Sequence, residues 1–194
     1  HQLLHGSRRV TSPARDSEHR VVAAVTERER TSESVTLLQV VPVRVHTEDG
    51  HRDTLALLDP GSQTSLVSEA LLRNTHLTGD QQQLCLETVE GRGSMKSSTR
   101  VQLTLSPLCE GEDPARQILV PEAFSVPRVN VRVAEIPNKK ENWTKWKHLR
   151  GLQLPDCTSG TVELLLGANV LEAVLQREVR VGRAGEPMAV RTAF

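Results

Sequence analysis

The sequence predicts an all-β fold with one or two short helices, and three observations point to it. Aromatic residues make up 2 % of the chain and Tyr is absent, so Leu and Val must fill the core, which favours a β-rich fold of modest stability. The apolar residues come in strand-length runs, beginning with Leu37-Leu38-Gln39-Val40-Val41-Pro42-Val43-Arg44-Val45. Between the runs stand clusters of Gly, Pro, Asp and Asn, the residues that turns require.

With 194 residues and 21.4 kDa, the chain has room for one domain with a real core and a disordered flank, not for a two-domain enzyme. Its formal net charge of +0 and pI of about 7.2 lack the basic excess of a nucleic-acid binder and do little to oppose self-association. Cys85, Cys109 and Cys157 are odd in number and widely spaced, with no CxxC and no signal-peptide pattern. They imply a reducing, cytoplasmic setting. No apolar run reaches the roughly 20 residues needed to span a bilayer, so no membrane role is expected.

Residues 1–34 are rich in Arg, Glu, Ser and Thr, with too little apolar surface to offset their ordering entropy, and read as a disordered linker. The domain then spans residues 35–194. Its first strand is followed by the turn Glu48-Asp49-Gly50-His51 and by Thr54 to Leu58, which together make a hairpin. Ser68-Glu69-Ala70-Leu71-Leu72-Arg73 reads as one or two helical turns capped by Ser68. Strands Leu84 to Val89 and Arg100 to Leu105 flank a glycine-bearing hairpin tip, Glu90-Gly91-Arg92-Gly93-Ser94. Gln117 to Val120 and Val129 to Val133 read as short strands. Pro137 to Leu154 gives no clear pattern. Thr161 to Leu166 reads as a buried strand, Ala168 to Leu175 as a short helix, and Glu178 to Val181 with Ala189 to Thr192 as closing strands.

The chemistry concentrates in Leu55-Ala56-Leu57-Leu58-Asp59-Pro60-Gly61-Ser62, one carboxylate in a glycine turn at the end of an apolar strand. Alone, Asp-Pro-Gly is an ordinary turn sequence, with Pro at the second and Gly at the third position of a type II turn. Its surroundings point further: an unbroken apolar strand before it, a capped helix and a glycine-tipped hairpin after it, and a second apolar run ending in glycine, Leu164-Leu165-Leu166-Gly167-Ala168-Asn169. Aspartic proteases present their catalytic acid in this way. Hydrolysis by carboxylates needs two Asp side chains sharing a proton, one polarising the peptide carbonyl while the other takes a proton from water. Only one Asp stands in such a setting here, so a working site requires two chains about a twofold axis.

In Leu57-Leu58-Asp59-Pro60-Gly61-Ser62-Gln63-Thr64-Ser65, Trp146-Lys147-His148-Leu149-Arg150-Gly151-Leu152, Leu164-Leu165-Leu166-Gly167-Ala168-Asn169-Val170 and Ala189-Val190-Arg191-Thr192-Ala193-Phe194, the chain resembles the retropepsin-like protease of Pao/BEL-type LTR retrotransposon polyproteins. The resemblance covers about residues 36–194. His1-Gln2-Leu3-Leu4-His5 is similar to the end of the Cys/His-rich segment preceding such proteases, whose metal-binding cysteines are not in this chain; no metal and no cofactor are expected. The resemblance implies an acid-protease barrel with one lobe per chain and a homodimeric active site, acting on extended peptide segments of its own polyprotein, in the cytoplasm or within virus-like particles. It makes Asp59 the catalytic aspartate, Pro60, Gly61 and Ser62 the active-site loop with Ser62 hydrogen-bonding the carboxylate, and Glu90, Gly91, Arg92 and Gly93 the flap over the substrate. Leu166, Gly167, Ala168 and Asn169 support the loop, with Gly167 where a side chain would intrude.

Pro60 departs from the pattern, which has Thr or Ser there to hydrogen-bond across the dimer; proline offers neither a hydroxyl nor an N–H. Two readings therefore stand, an active endopeptidase and a retropepsin fold kept as a dimerisation or peptide-binding module, with a protease domesticated from a retroelement as a third. Other candidates are weaker. None of the seven histidines has HExxH spacing, and Trp143 and Trp146, three residues apart among lysines, read as the packed face of a short helix rather than a nucleic-acid or membrane patch.

Overall fold

The computed structural model describes residues 19–22 (backbone only), 37–88, 91–108, 116–131, 133, 145–152, 157, 160–184 and 186–194. Among the described residues, ten strands and two α-helices form in the order β1 His19–Val22, β2 Val40–Thr47, β3 Gly50–Leu58, β4 Ser65–Ser68, α1 Glu69–Thr75, β5 Asp80–Thr88, β6 Gly91–Pro107, β7 Ile118–Val126, β8 Val162–Leu166, α2 Leu171–Val174, β9 Glu178–Arg180 and β10 Ala189–Arg191. Within the segment read as a linker, β1 pairs parallel with β5; the rest of residues 1–34 lies outside the described residues.

Strand order β6-β2-β3-β8-β4-β7 closes on itself because β7 also pairs with β6, giving a six-stranded barrel. Closure removes the free edges an open sheet would expose. Every barrel strand sends residues into one core: Val43 and Val45, Ala56 and Leu58, Val67, Val101 with Leu103 and Leu105, Ile118 with Val120 and Ala123, and Leu164 with Leu166. The helices add Leu71 and Leu72 from α1 and Ala173 and Val174 from α2. A second cluster lies on the other face of the same strands, with Leu55, Leu57, Leu66, Phe124, Val126 and Leu165 packed against Val129 and Cys157. Successive residues of β3 thus point into different clusters, which is why Leu55-Ala56-Leu57-Leu58 is a continuous apolar run rather than an alternating one.

The hairpin of β2 and β3 forms as the turn chemistry predicted, with Thr47 opposite Gly50. Ser68 caps α1 by accepting a 3.0 Å hydrogen bond from the Leu71 N–H. Two expectations are corrected. Val129 to Val133 is no strand among the described residues: Val131 N–H turns back to the Val129 carbonyl at 2.9 Å, and the valines pack on the second cluster without a sheet partner. The strand expected over 117–120 runs on through Pro121 to Val126 as β7. The register of β6 against β7 shifts between Val101 and Leu103, and pairing with β4 begins only at Ala123, so the missing N–H of Pro121 falls where the ladder is interrupted.

The strands β5 and β6 are longer than predicted: polar Asp80 to Gln83 pairs with Ser97 to Arg100, where β6 joins the barrel by pairing Arg100 with Phe124, and Gly91 to Lys96 carries β6 beyond the barrel, paired there to β5 alone. Trp146 precedes a 3-10 turn over Lys147–Leu149, with Lys145 Nζ 4.5 Å from its ring centroid; Trp143 lies outside the described residues. Among the described residues, no helix is long and apolar enough to cross a membrane.

Candidate active site

Asp59 is the first residue after β3, and its position follows from the sheet. The parallel neighbours β3 and β8 end together, Leu58 beside Leu166, and the Asp59 N–H continues the ladder to the Leu166 carbonyl at 2.9 Å. The chain must then pass from β3 to β4, which lies on the far side of β8. Residues 59–64 make that crossing over the end of β8, where Gly167 stands.

The crossing explains Gly167. A Cβ there would lie 2.8 Å from the Ser62 carbonyl oxygen and nearer still to that of Thr64, both backbone atoms that cannot yield cheaply. Three hydrogen bonds fasten the junction: Ala168 N–H to the Ser62 carbonyl at 2.8 Å, Gly167 N–H to Ser65 Oγ at 3.1 Å and Ser65 Oγ to Asn169 Oδ1 at 2.9 Å. Asn169 Nδ2 also reaches the Glu122 carbonyl on β7 at 2.8 Å. Leu166 is core, and Ala168 and Asn169 begin a 3-10 turn that leads into α2.

Within the loop, Ser62 N–H bonds the Asp59 carbonyl at 3.1 Å and Gly61 N–H bonds Asp59 Oδ1 at 3.0 Å. The expected type II turn is not formed, because Gly61 is not among the glycines with positive φ and a type II turn needs one at that position. Gly61 matters instead for proximity, since a Cβ there would come within 3.1 Å of Asp59 Oδ1. The role expected for Ser62 is also corrected. Its buried hydroxyl donates its single hydrogen to the Thr64 carbonyl at 2.7 Å, so the backbone N–H of Gly61, not Ser62, holds the carboxylate.

Asp59 Oδ2 and Thr64 Oγ1 are both buried with no hydrogen-bond partner among the described residues. Leaving a buried carboxylate oxygen unpaired costs on the order of 1–3 kcal/mol.

Of the hairpin residues expected to form a lid, Glu90 lies outside the described residues and Gly91, Arg92 and Gly93 stand at the start of β6. Gly91 adopts φ 123°, a conformation suited to glycine. Gly93 lies against the Leu86 carbonyl, 2.9 Å from where a Cβ would be, beside the register shift between Cys85 and Glu87. Cys85 Sγ lies 3.3 Å from both the Gly93 carbonyl and Arg92 Nε. The structure thus gathers residues 59–62 and 166–169 into one site and places 91–93 in the projecting hairpin. Sequence reasoning passed over Ser65, whose hydroxyl ties the two halves together. Its signal was a run of four uncharged polar residues, Ser62-Gln63-Thr64-Ser65, leading from one apolar strand into the next, of which all but Gln63 are buried.

Protein-family models, curated proteins and solved structures give no match to the chain.

Proposed function

We propose that the chain is a retropepsin-like aspartic endopeptidase of the Pao/BEL type, whose site is completed by a second copy and which cleaves extended segments of its own polyprotein. The observation that carries this reading is the loop over β8: a carboxylate at the end of a buried strand, one oxygen held by Gly61 N–H and the other buried without a partner among the described residues, seated on a glycine whose Cβ would meet the backbone of Ser62 and Thr64. A second Asp59 about a twofold axis would supply that partner through a shared proton, since two adjacent carboxylates do not both ionise readily. The ionised member takes a proton from the attacking water while the protonated member donates to the peptide carbonyl oxygen. The hairpin of β5 and β6 would close over the peptide and exclude water.

Asp59→Asn tests the reading. The amide keeps an oxygen for Gly61 N–H, so urea unfolding should change little, whereas cleavage of an extended-peptide library should fall by roughly 10²-fold or more. Cleavage at a comparable rate would assign the activity to another group.

Pro60 favours a second reading, a non-catalytic dimerisation or peptide-binding module, because it brings neither hydroxyl nor N–H to the loop. A chain that dimerises and binds extended peptides yet cleaves none at any pH, before and after Pro60→Thr, would establish it.

A further inference from the structure

The hairpin of β5 and β6 leaves the barrel with one side of β5 facing away from β6. Four residues cover part of that edge: His19, Arg20, Val21 and Val22 pair parallel with Leu84, Cys85, Leu86 and Glu87. Upstream of Leu84, no strand among the described residues pairs with Gln81 to Gln83 except β6. A strand edge presents a row of backbone donors and acceptors that will pair with any extended chain of fitting register. Here the occupant is one strand of four residues, and it pairs with the sheet through β5 alone among the described residues. Exchanging an identical element between two copies is a low-cost route to association.

We propose that the outer edge of β5 is a strand-docking site, which the chain's own residues 19–22 fill and which accepts residues 19–22 of a second copy in their place. The contacts are main chain to main chain, as in β-augmentation, so the incoming segment must lack proline at the paired positions. Parallel register sets its pattern, with the residue facing Leu86 in the place of Val21 and the residue facing Glu87 in the place of Val22. The same segment of a neighbouring copy is already fitted to this edge. The inference concerns binding alone and does not depend on catalysis at Asp59.

The test uses the full chain carrying Arg20→Pro and Val21→Pro, which removes two backbone donors from β1 without touching the barrel. Hydrogen exchange of the amides over residues 84–87 should rise at least tenfold against the parent chain. A fluorescein-labelled synthetic peptide of residues 17–24 should bind the variant at least tenfold more tightly than the parent and restore the protection. The same peptide carrying both prolines should not bind. Unchanged exchange over 84–87, failure of the variant to bind the peptide, or equal binding of the proline-bearing peptide would each overturn the proposal. Loss of the barrel's β circular dichroism in the variant would do so too, since β1 would then be part of the fold and not an exchangeable occupant.

Discussion

Gly61 in the crossing loop and Gly167 beneath it are constrained by different atoms, and that difference separates stability from chemistry. At Gly167 the obstacle is the backbone of Ser62 and Thr64, so Gly167→Ala should force the crossing loop off β8 and cost about 1–3 kcal/mol, as overpacking does. At Gly61 the obstacle is a side-chain atom, Asp59 Oδ1 at 3.1 Å, which can swing aside. Gly61→Ala should therefore leave the urea midpoint nearly unchanged while displacing the carboxylate and lowering any cleavage. A larger stability loss at 61 than at 167 would contradict this assignment. Asp59 and Gly167 were legible in the sequence because a buried strand followed by an acid or a glycine is a local pattern. The hydrogen bonds of Ser62 and Ser65 were not, since a hydroxyl's partner depends on which strand end it meets after the chain has crossed the sheet.

Among the elements, hydrophobic pattern read burial better than pairing. Val129, Val131 and Val133 alternate as a strand would, and they do face an apolar cluster, but alternation is satisfied equally by an extended segment lying on a sheet. The predicted strand ended at Val120, yet β7 runs on through Pro121, where a register shift makes the donor that proline lacks unnecessary. Asp80 to Gln83 of β5 is wholly polar and Gly91 to Ser97 of β6 has Met95 as its single apolar side chain, so no apolar alternation marked these stretches as strands. The closing ribbon of β9 and β10 was predicted and is formed, with Glu178 opposite Arg191. The guanidinium of Arg180, 3.0 Å away, holds the Glu178 carboxyl below its ordinary value, and Arg191 at 3.6 Å adds to this. A carboxyl lowered in the folded state stabilises the ribbon at pH values above the ordinary carboxylate range, and the contribution is lost as pH falls through the lowered value. This group is at the surface, so the effect is small and salt-sensitive. Arg180→Gln should move the NMR titration midpoint of Glu178 upward; an unmoved midpoint would show that Arg180 does not set it.

At the scale of the whole molecule, the barrel closes its own strands but leaves large apolar side chains in the open on the segment that follows the site. Leu171 is 67 % exposed, Val181 63 % and Met188 66 %, and Leu175 and Val179 are also exposed. Leu171 and Leu175, four residues apart around α2, share one side of that helix. These residues come just after Gly167, Ala168 and Asn169, the support of the loop bearing the unpartnered Asp59 oxygen. A second copy covering this segment would take that apolar surface out of water and lie next to the buried carboxylate oxygen that has no partner among the described residues. Net charge near zero adds no long-range repulsion between copies. If this segment makes the dimer, replacing Leu171 and Val181 with Asp should weaken association by far more than tenfold, because burying one such side chain is worth about 1.5–3 kcal/mol. The barrel should remain folded, since neither residue belongs to its core. Sedimentation velocity across a dilution series measures the association, and peptidase activity over the same series should fall with the dimer fraction. A parent chain that stays monomeric at every concentration, or a variant that associates as the parent does, would remove the twofold site from this molecule and leave Asp59 as the head of an ordinary turn.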